Sequence, residues 1–311
     1  MSTSTPARPR PAGPTASAAA RASARGPRSG RPWLLMAPAL VVLLLMTVFP
    51  AVYLLRASFR DENLLGGRAD WVGLENYAFV LTDPVARQSL LTTLAFVVVS
   101  VALQVGLGML LAMPLAARTK ANTVGTLLLL VPFAITPAVS GLVFRELLNP
   151  NYGWVNHYLG IGTDWLAQPV TAWVALIGLE VWAWTPFVAL ILIAGRQAVP
   201  SEPLEAAALD GANRRQTFRH VVLPQLMPFL AIAVVLRTIQ AFKTFDSFKI
   251  LTNGGPGEAT EIINLGIHRV ALQSFRIGAA SAAAILLLIV LSLLVPAMLR
   301  VIGRYTRPEE A

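Results

Sequence analysis

Long stretches without a single charge recur along this chain, and they restrict its fold more tightly than anything else in it. Pro32 to Leu55, Gln88 to Ala117, Ala121 to Phe144 and Ile277 to Leu299 are uncharged throughout. At about 1.5 Å of helical rise per residue, each is long enough to cross a ~30 Å hydrocarbon core. Two further stretches, Thr171 to Gly195 and Val222 to Asp246, have the length but are interrupted by Glu180 and by Arg237 and Lys243. Lipid offers no partner to a backbone amide, so each crossing must close its own hydrogen bonds as a helix. Pro132, Pro137, Pro186 and Pro228 inside these runs predict local kinks. The expected architecture is an all-α integral membrane protein with six transmembrane helices.

The overall balance agrees. Hydrophobic residues make up 55% of the chain and charged residues 13%, with mean hydropathy +0.63, which excludes an ordinary soluble domain. The formal charge of +9 does not come from a basic patch interleaved with aromatics, so nucleic acid is not an expected partner. The basic residues flank the apolar runs instead, as topology determinants do. There is no cysteine, which removes disulfides and thiolate chemistry, and His157, His220 and His268 are too scattered to suggest a metal site.

Residues 1–31 hold Arg8, Arg10, Arg21, Arg25, Arg28 and Arg31 among Pro, Ser, Ala and Gly, with no acid. Such a segment cannot bury enough apolar area to offset ordering and is expected to be a disordered cytoplasmic tail. The run after it is too long for a signal-peptide core and lacks a clear small-x-small cleavage site, so it reads as an uncleaved anchor. Six crossings from an inside start place the tail, Arg118 and Lys120, the Arg196 to Arg219 loop and the 303–311 tail on one side, with most of the Lys and Arg. Both termini are therefore expected in the cytoplasm. Trp33, Trp165 and Trp173 fall near span ends, where indole rings favour the interface.

Between the fourth and fifth runs lies EAAALDGANRRQTFRHVVLP, Glu205 to Pro224. Ser201 is placed to cap a short helix with Glu202 and Glu205 in its first turn, where carboxylates suit the exposed amides. Gly211 permits a sharp exit. Asn213 with Gln216 has capping-box spacing for a second helix carrying Phe218, Val221 and Val222. Spacing alone leaves two readings open: an amphipathic helix on lipid headgroups, or a docking element for a partner.

Glu180 and Arg237 are the most informative single residues, because a charge near a span centre costs about 2.5–3.5 kcal/mol. Each lies nine positions inward from the outer end of its span, at Thr171 and Asp246, or roughly 14 Å deep. At matching depth they either pair or share a polar cavity. Trp173, Ile177, Glu180, Trp184 and Phe187 share one helical face, and Arg237, Gln240 and Thr244 form a polar stripe. Aromatic rings beside hydrogen-bonding groups suit a polyhydroxylated solute, while simple packing accounts for them equally. Glu180, Trp184, Phe187, Arg237, Gln240 and Thr244 are thus the candidate pathway residues.

Glu205, Ala206, Ala207, Gly211, Val221, Leu223 and Pro224 resemble, in order and spacing, the EAA loop of binding-protein-dependent ABC importer permeases. Phe245, Asp246, the segment LTNGGP at 251–256 and Thr260 resemble the marker of carbohydrate-uptake permeases of the maltose and glycerol-3-phosphate type. So do VGLENY at 72–77, WTPF at 184–187 and residues 278–284. The resemblance runs from Trp33 to Ile302. It implies a MetI-like transmembrane domain over residues 32–302 with the type I importer permease fold and a coupling loop at 200–224. It assigns ATPase coupling to Glu205, Ala206, Ala207, Asp210, Gly211, Phe218 and Pro224. Implied partners are a second permease subunit, two ATPase subunits binding ATP and magnesium, an extracytoplasmic solute-binding protein and membrane lipid, in a bacterial inner membrane. No cofactor is expected in this chain.

The residues themselves also point to energy supplied in trans. Lys120, Lys243 and Lys249 are the only lysines, and none completes a G-x-x-x-x-G-K-[ST] phosphate cradle. LTNGGPGEAT lacks that lysine and reads as a tight turn on the outer side, or as a contact for the solute-binding protein. Two other classes compete with a transport subunit: a membrane enzyme using Glu180 with Asp246 or His157, and a scaffold or sensor. No paired-carboxylate or nucleophile-base motif favours the enzyme.

Overall fold

Helices form wherever the apolar runs demand them, and a computed structural model describes residues 32–67 and 69–306. The arginine-rich segment 1–31 and residues 307–311 lie outside the described residues, as does the Trp33 side chain. The chain divides into two units between Tyr53 and Leu54. The described part of the first is the apolar stretch of α1 (Pro32–Ser58), whose side chains from Met36 to Tyr53 are almost all exposed.

The second unit is a helical bundle. A two-residue pair of strands, β1 (Arg60–Asp61) and β2 (Asp70–Trp71), runs antiparallel with Arg60 opposite Trp71. Then come α2 (Glu75–Thr82), α3 (Pro84–Leu115), α4 (Lys120–Ala134), α5 (Pro137–Leu147) and α6 (Trp154–Leu159). They are followed by α7 (Pro169–Ala198), α8 (Glu202–Leu209), α9 (Arg214–Thr217), a π turn (Phe218–Val222) and α10 (Leu223–Phe242). The unit closes with α11 (Asp246–Leu251), α12 (Ile263–Leu272) and α13 (Ile277–Thr306).

Five helices are long and apolar enough to cross a membrane, and the sixth crossing is a broken one. The sequence suggested a single kinked span over Ala121 to Phe144, whereas α4 and α5 meet at 92°. Pro137 has no N–H and pushes the residue before it out of the helical region. Thr136 accordingly sits at ψ 143°, with Ile135 at ψ 134°. Two adjacent extended residues turn the chain fully, where one would only bend it.

The α3 and α7 helices form the central pair, and α10 packs on both. Two apolar clusters fill the space between these helices. One joins Phe96, Val101, Leu176, Leu179, Phe242 and Phe248 toward the end proposed as outer. The other joins Ala112, Val188, Leu192, Val222, Leu226 and Ala233 toward the inner end. At Gly108 the α3 backbone approaches α7 so closely that an added Cβ would stand 2.8 Å from Val188 Cγ1. The VGLENY motif has a structural task at the α1 end: Asn76 Nδ2 donates to the carbonyls of Ser58 (3.0 Å) and Arg60 (2.8 Å). The Tyr77 and Ser58 hydroxyls lie 2.7 Å apart.

Overpacking a core helix contact costs about 1–3 kcal/mol. Gly108→Leu is therefore expected to lower the thermal unfolding midpoint of the solubilised protein, while Gly106→Leu, with open space around its Cβ, leaves it nearly unchanged.

Candidate functional site

Between the two apolar clusters sits a buried polar network. Arg237 on α10 donates through Nη2 to Glu180 Oε2 on α7 at 2.8 Å, and through Nε to Gln104 Oε1 on α3 at 2.6 Å. Gln104 Nε2 donates in turn to the Glu180 carbonyl at 3.0 Å, and the Ser247 hydroxyl on α11 reaches Glu180 Oε1 at 2.7 Å. The side chains of Arg237 and Glu180 are 0% and 2% exposed, which decides between the two readings of their matching depth: they pair, and they do not stand open in a cavity. Both carboxylate oxygens are occupied, so Glu180 is not poised as an acid or base. The guanidinium carbon also lies 4.7 Å from the Trp184 ring centroid, a desolvated cation-π contact of about 2 kcal/mol.

Trp184 connects this network to a second group. Its ring meets Phe133 edge-on at 5.6 Å and Phe187 at 6.3 Å, and Phe133 stacks on Phe187 at 5.6 Å. Phe133 stands at the last turn of α4, just before the chain breaks. All three rings are partly accessible. The face drawn from Trp173 to Phe187 does not act as one surface, however. Trp173 is half-buried, packs on Phe96 and Phe248 and donates through Nε1 to the Ala259 carbonyl at 3.1 Å, so it is tied to the core. Trp165 likewise donates to Asn156 Oδ1 at 2.8 Å and joins the core edge. The polar stripe on α10 divides in the same way: Arg237 is buried, Thr244 half-buried and Gln240 exposed.

Gln104, Ser247 and Asn264 were missed from the sequence. Gln104 could have been found, since it is the one amide in the interior of an otherwise apolar run. Ser247 and Asn264 could not, because their partners lie far along the chain. Asn264 Nδ2 closes the α10 terminus by donating to the carbonyls of Phe242 (2.8 Å) and Thr244 (2.9 Å).

The loop between α7 and α10 folds as helix, glycine joint, helix. Ser201 does not cap α8 with its side chain: its backbone is already helical, and its carbonyl accepts from Leu204 and Glu205 instead. At the other end Gly211 adopts φ +72°, its N–H bonds the Ala208 carbonyl, and Ala212 N–H bonds the Ala207 carbonyl. That pair of bonds is a Schellman ending, which needs a left-handed residue at the glycine position. The capping box forms as expected, with Asn213 and Gln216 exchanging bonds of 3.0 and 2.8 Å. Phe218 and Val222 pack into the inner cluster, as does Leu204. Ala207 is buried, Glu205, Ala206, Asp210, Gly211 and Pro224 are exposed, and Leu209 is 90% exposed, an apolar tip left bare. From Asn213 the chain winds through the π turn directly into α10.

The segment after α11, expected on the outer side, is a tight turn. Asn253, Gly254 and Gly257 have positive φ, and buried Thr260 Oγ1 lies 2.6 Å from the Gly255 carbonyl and 2.9 Å from the Thr252 hydroxyl. Arg269 pairs with Glu258 at 3.2 Å and with Glu261. Burial pushes the Glu261 carboxyl above the usual carboxylate range against the pull of Arg269, with Glu258 and Asp83 adding repulsion.

A bundle of membrane-spanning helices, with a charged pair sealed at its centre and a two-helix loop standing out at one rim, defines a polytopic membrane transport component. The chain belongs to the family of binding-protein-dependent transport system inner membrane components, whose profile matches residues 86–308. Within that family it is a pore-forming subunit and not a catalyst, in a multi-pass arrangement in the inner membrane. It is 35% identical to the trehalose/maltose transport system permease protein MalF of Thermococcus litoralis over 253 residues, covering 80% of this chain and 86% of that protein. To the sn-glycerol-3-phosphate transport system permease protein UgpA of Agrobacterium fabrum it is 30% identical, covering 83% and 90%. Among solved structures, a bacterial ABC transporter involved in the import of the acidic polysaccharide alginate superimposes with a TM-score of 0.77 at 21% identity, over 90% of this chain and 98% of that one, which establishes the fold.

Removing one partner of a buried ion pair costs about 3–5 kcal/mol, whereas replacing both by apolar side chains is often neutral. Arg237→Met alone is expected to lower the unfolding midpoint sharply, and the double variant Glu180→Met/Arg237→Met to recover most of the loss, measured by thermal denaturation in detergent.

Proposed function

We propose that this chain forms half of the translocation pathway of an ATP-driven importer for a sugar or related polyhydroxylated solute. In this reading, cytoplasmic ATPases drive it through the loop at 200–224. The observation that carries the reading is the exposed helix α8, ended by the Gly211 joint and followed by α9, which runs through the π turn into α10. An apolar tip at Leu209 on a rigid lever, in a chain with no phosphate cradle of its own, is what a docking element for a separate motor requires. Glu205, Ala206, Asp210 and Gly211 face outward to that partner, while Ala207 and Phe218 hold the lever to the inner core.

The partners proposed are two ATPase subunits that bind ATP and magnesium, a second permease completing the pathway, and an external binding protein that delivers solute. A solved structure with TM-score 0.78 to this chain, described as a bacterial alginate transporter in complex with an alginate pentasaccharide-bound periplasmic protein, supports that assembly by analogy of fold. The relatives named for trehalose/maltose and sn-glycerol-3-phosphate transport, with one of Agrobacterium fabrum named for sulfoquinovosyl glycerol, favour a hydroxylated solute. The basic residues around the α8 loop and after α3 support a cytoplasmic side for both termini.

For the solute itself we infer contacts with the partly accessible rings of Trp184, Phe187 and Phe133, with Gln240 on α10 and with Thr244 just beyond its end. Glu180 and Arg237 act from behind as positioning residues, holding α7, α10 and the Trp184 ring in place.

A residue with a side chain in the left-handed region costs roughly 1–2 kcal/mol, more when β-branched. Gly211→Val is expected to leave membrane insertion intact while uptake in proteoliposomes falls at least tenfold and ATP hydrolysis continues; normal uptake would count against the lever. Trp184→Ala/Phe187→Ala is expected to reduce uptake at saturating loaded binding protein without altering that protein's own solute affinity. Unchanged uptake would remove these rings from the pathway.

A further inference from the structure

At the rim where α3 ends and α4 begins, a cleft of about 550 Å³ opens between the 116–119 loop, α4 and the end of α7. Its walls divide by chemistry. Arg118, Lys120 and Thr123 stand at one end, and Leu127, Leu190 and Ala194 along the rest, with no acidic residue in the lining. Neither Arg118 nor Lys120 enters an ion pair among the described residues, and both are exposed.

The cleft is also held in shape. Asn122 Nδ2 donates to the carbonyls of Pro114 (3.0 Å) and Ala117 (2.8 Å), fixing the loop that carries the two cations. Gln197 Nε2 donates to the Ala116 carbonyl at 3.3 Å and ties that loop to α7. The Thr119 hydroxyl caps α4 by accepting from Asn122 N–H at 3.1 Å, so the backbone between the cations is fixed as well. These bonds leave the cationic side chains unengaged on a rigid base.

We propose that this cleft binds an anionic phospholipid, its headgroup phosphate between Arg118 and Lys120 and the upper part of its acyl chain along Leu127, Leu190 and Ala194. The occupant follows from charge complementarity and from the split between a cationic end and an apolar wall. A soluble anion would satisfy only the first, and a neutral lipid only the second. The volume lies within the ~300–1,000 Å³ range of small-molecule sites, enough for a headgroup and the first part of a chain. Basic pockets between spans on the cytoplasmic side are physically suited to anionic headgroups, and the leaflet follows from the orientation proposed above. The lipid site does not depend on the solute reading.

The test is native mass spectrometry of the intact importer complex, released from nanodiscs made of equal parts phosphatidylcholine and phosphatidylglycerol. Retained phosphatidylglycerol is expected to exceed phosphatidylcholine by about thirtyfold, from two basic side chains acting near the surface. The double variant Arg118→Gln/Lys120→Gln is expected to fall near parity. Arg118→Lys/Lys120→Arg, which keeps charge and insertion signals, is expected to retain the preference. Ala194→Trp fills the apolar end without touching charge and is expected to lose the lipid too. Enrichment unchanged in both the glutamine and the tryptophan variants would overturn the proposal, as it would if another subunit covers the cleft. Loss in the glutamine variant alone would reduce the effect to surface attraction and overturn it as well. Release of the lipid by millimolar inorganic phosphate would make this a plain anion site and likewise sink the lipid assignment.

Discussion

The cost of taking a guanidinium out of water governs the centre of this bundle. Arg237 is fully buried between two apolar clusters, and an unpaired charge there would be intolerable. It is neutralised by Glu180 and held further by Gln104 and the Trp184 face. Glu180 and Trp184 stand one turn apart on α7, Gln104 on α3, and Ser247 completes the carboxylate's bonding from α11. Four helices are thereby fixed in depth and rotation relative to one another at one point. An apolar contact tolerates sliding by a fraction of a turn; a sealed charge with directed bonds does not. The network ties α3, α7 and α10 to one another at one depth.

That unity gives the rim loop something to push against. α8 is anchored through Leu204 and Ala207, closed by Gly211 and re-entered through the Asn213 capping box. Between it and α10 lies a stretch of π turn, where one extra residue is accommodated in the helical ladder without a break. In the proposed reading, displacement at the loop passes from Arg214 to Arg237 along helical backbone, and from Arg237 to α3 and α7 through hydrogen bonds.

Much of this was legible in the sequence, and the reasons differ by residue. The spans were visible because lipid imposes a length and a composition. Equal depth of Glu180 and Arg237 followed from counting, since helical rise converts sequence distance directly into height. The Gly211 joint and the Asn213 box were readable because both are local, satisfied within a few residues. Ser201 misled for the complementary reason: a residue of capping type fails to cap when its own backbone is already helical, and that depends on Val199 and Pro200 before it. The face from Trp173 to Phe187 failed because helical spacing fixes direction about one axis and says nothing of what stands opposite. Trp173 met Phe96 and Phe248, and Trp184 met a cation. Ser247 and Asn264 depend on contacts made across long loops, which no pattern along the chain encodes.

The broken third span carries one more implication. Pro132 and Pro137 leave the carbonyls of Leu128 and Phe133 without their regular helical donors, about 12 Å and about 20 Å from the start of α4 at Lys120. Oxygen atoms stripped of partners cannot face acyl chains at such a height, so this side of the bundle must be wet or covered by protein. The elbow is thus a boundary marker: lipid can coat the straight helices, but at Phe133 water or protein has to take its place.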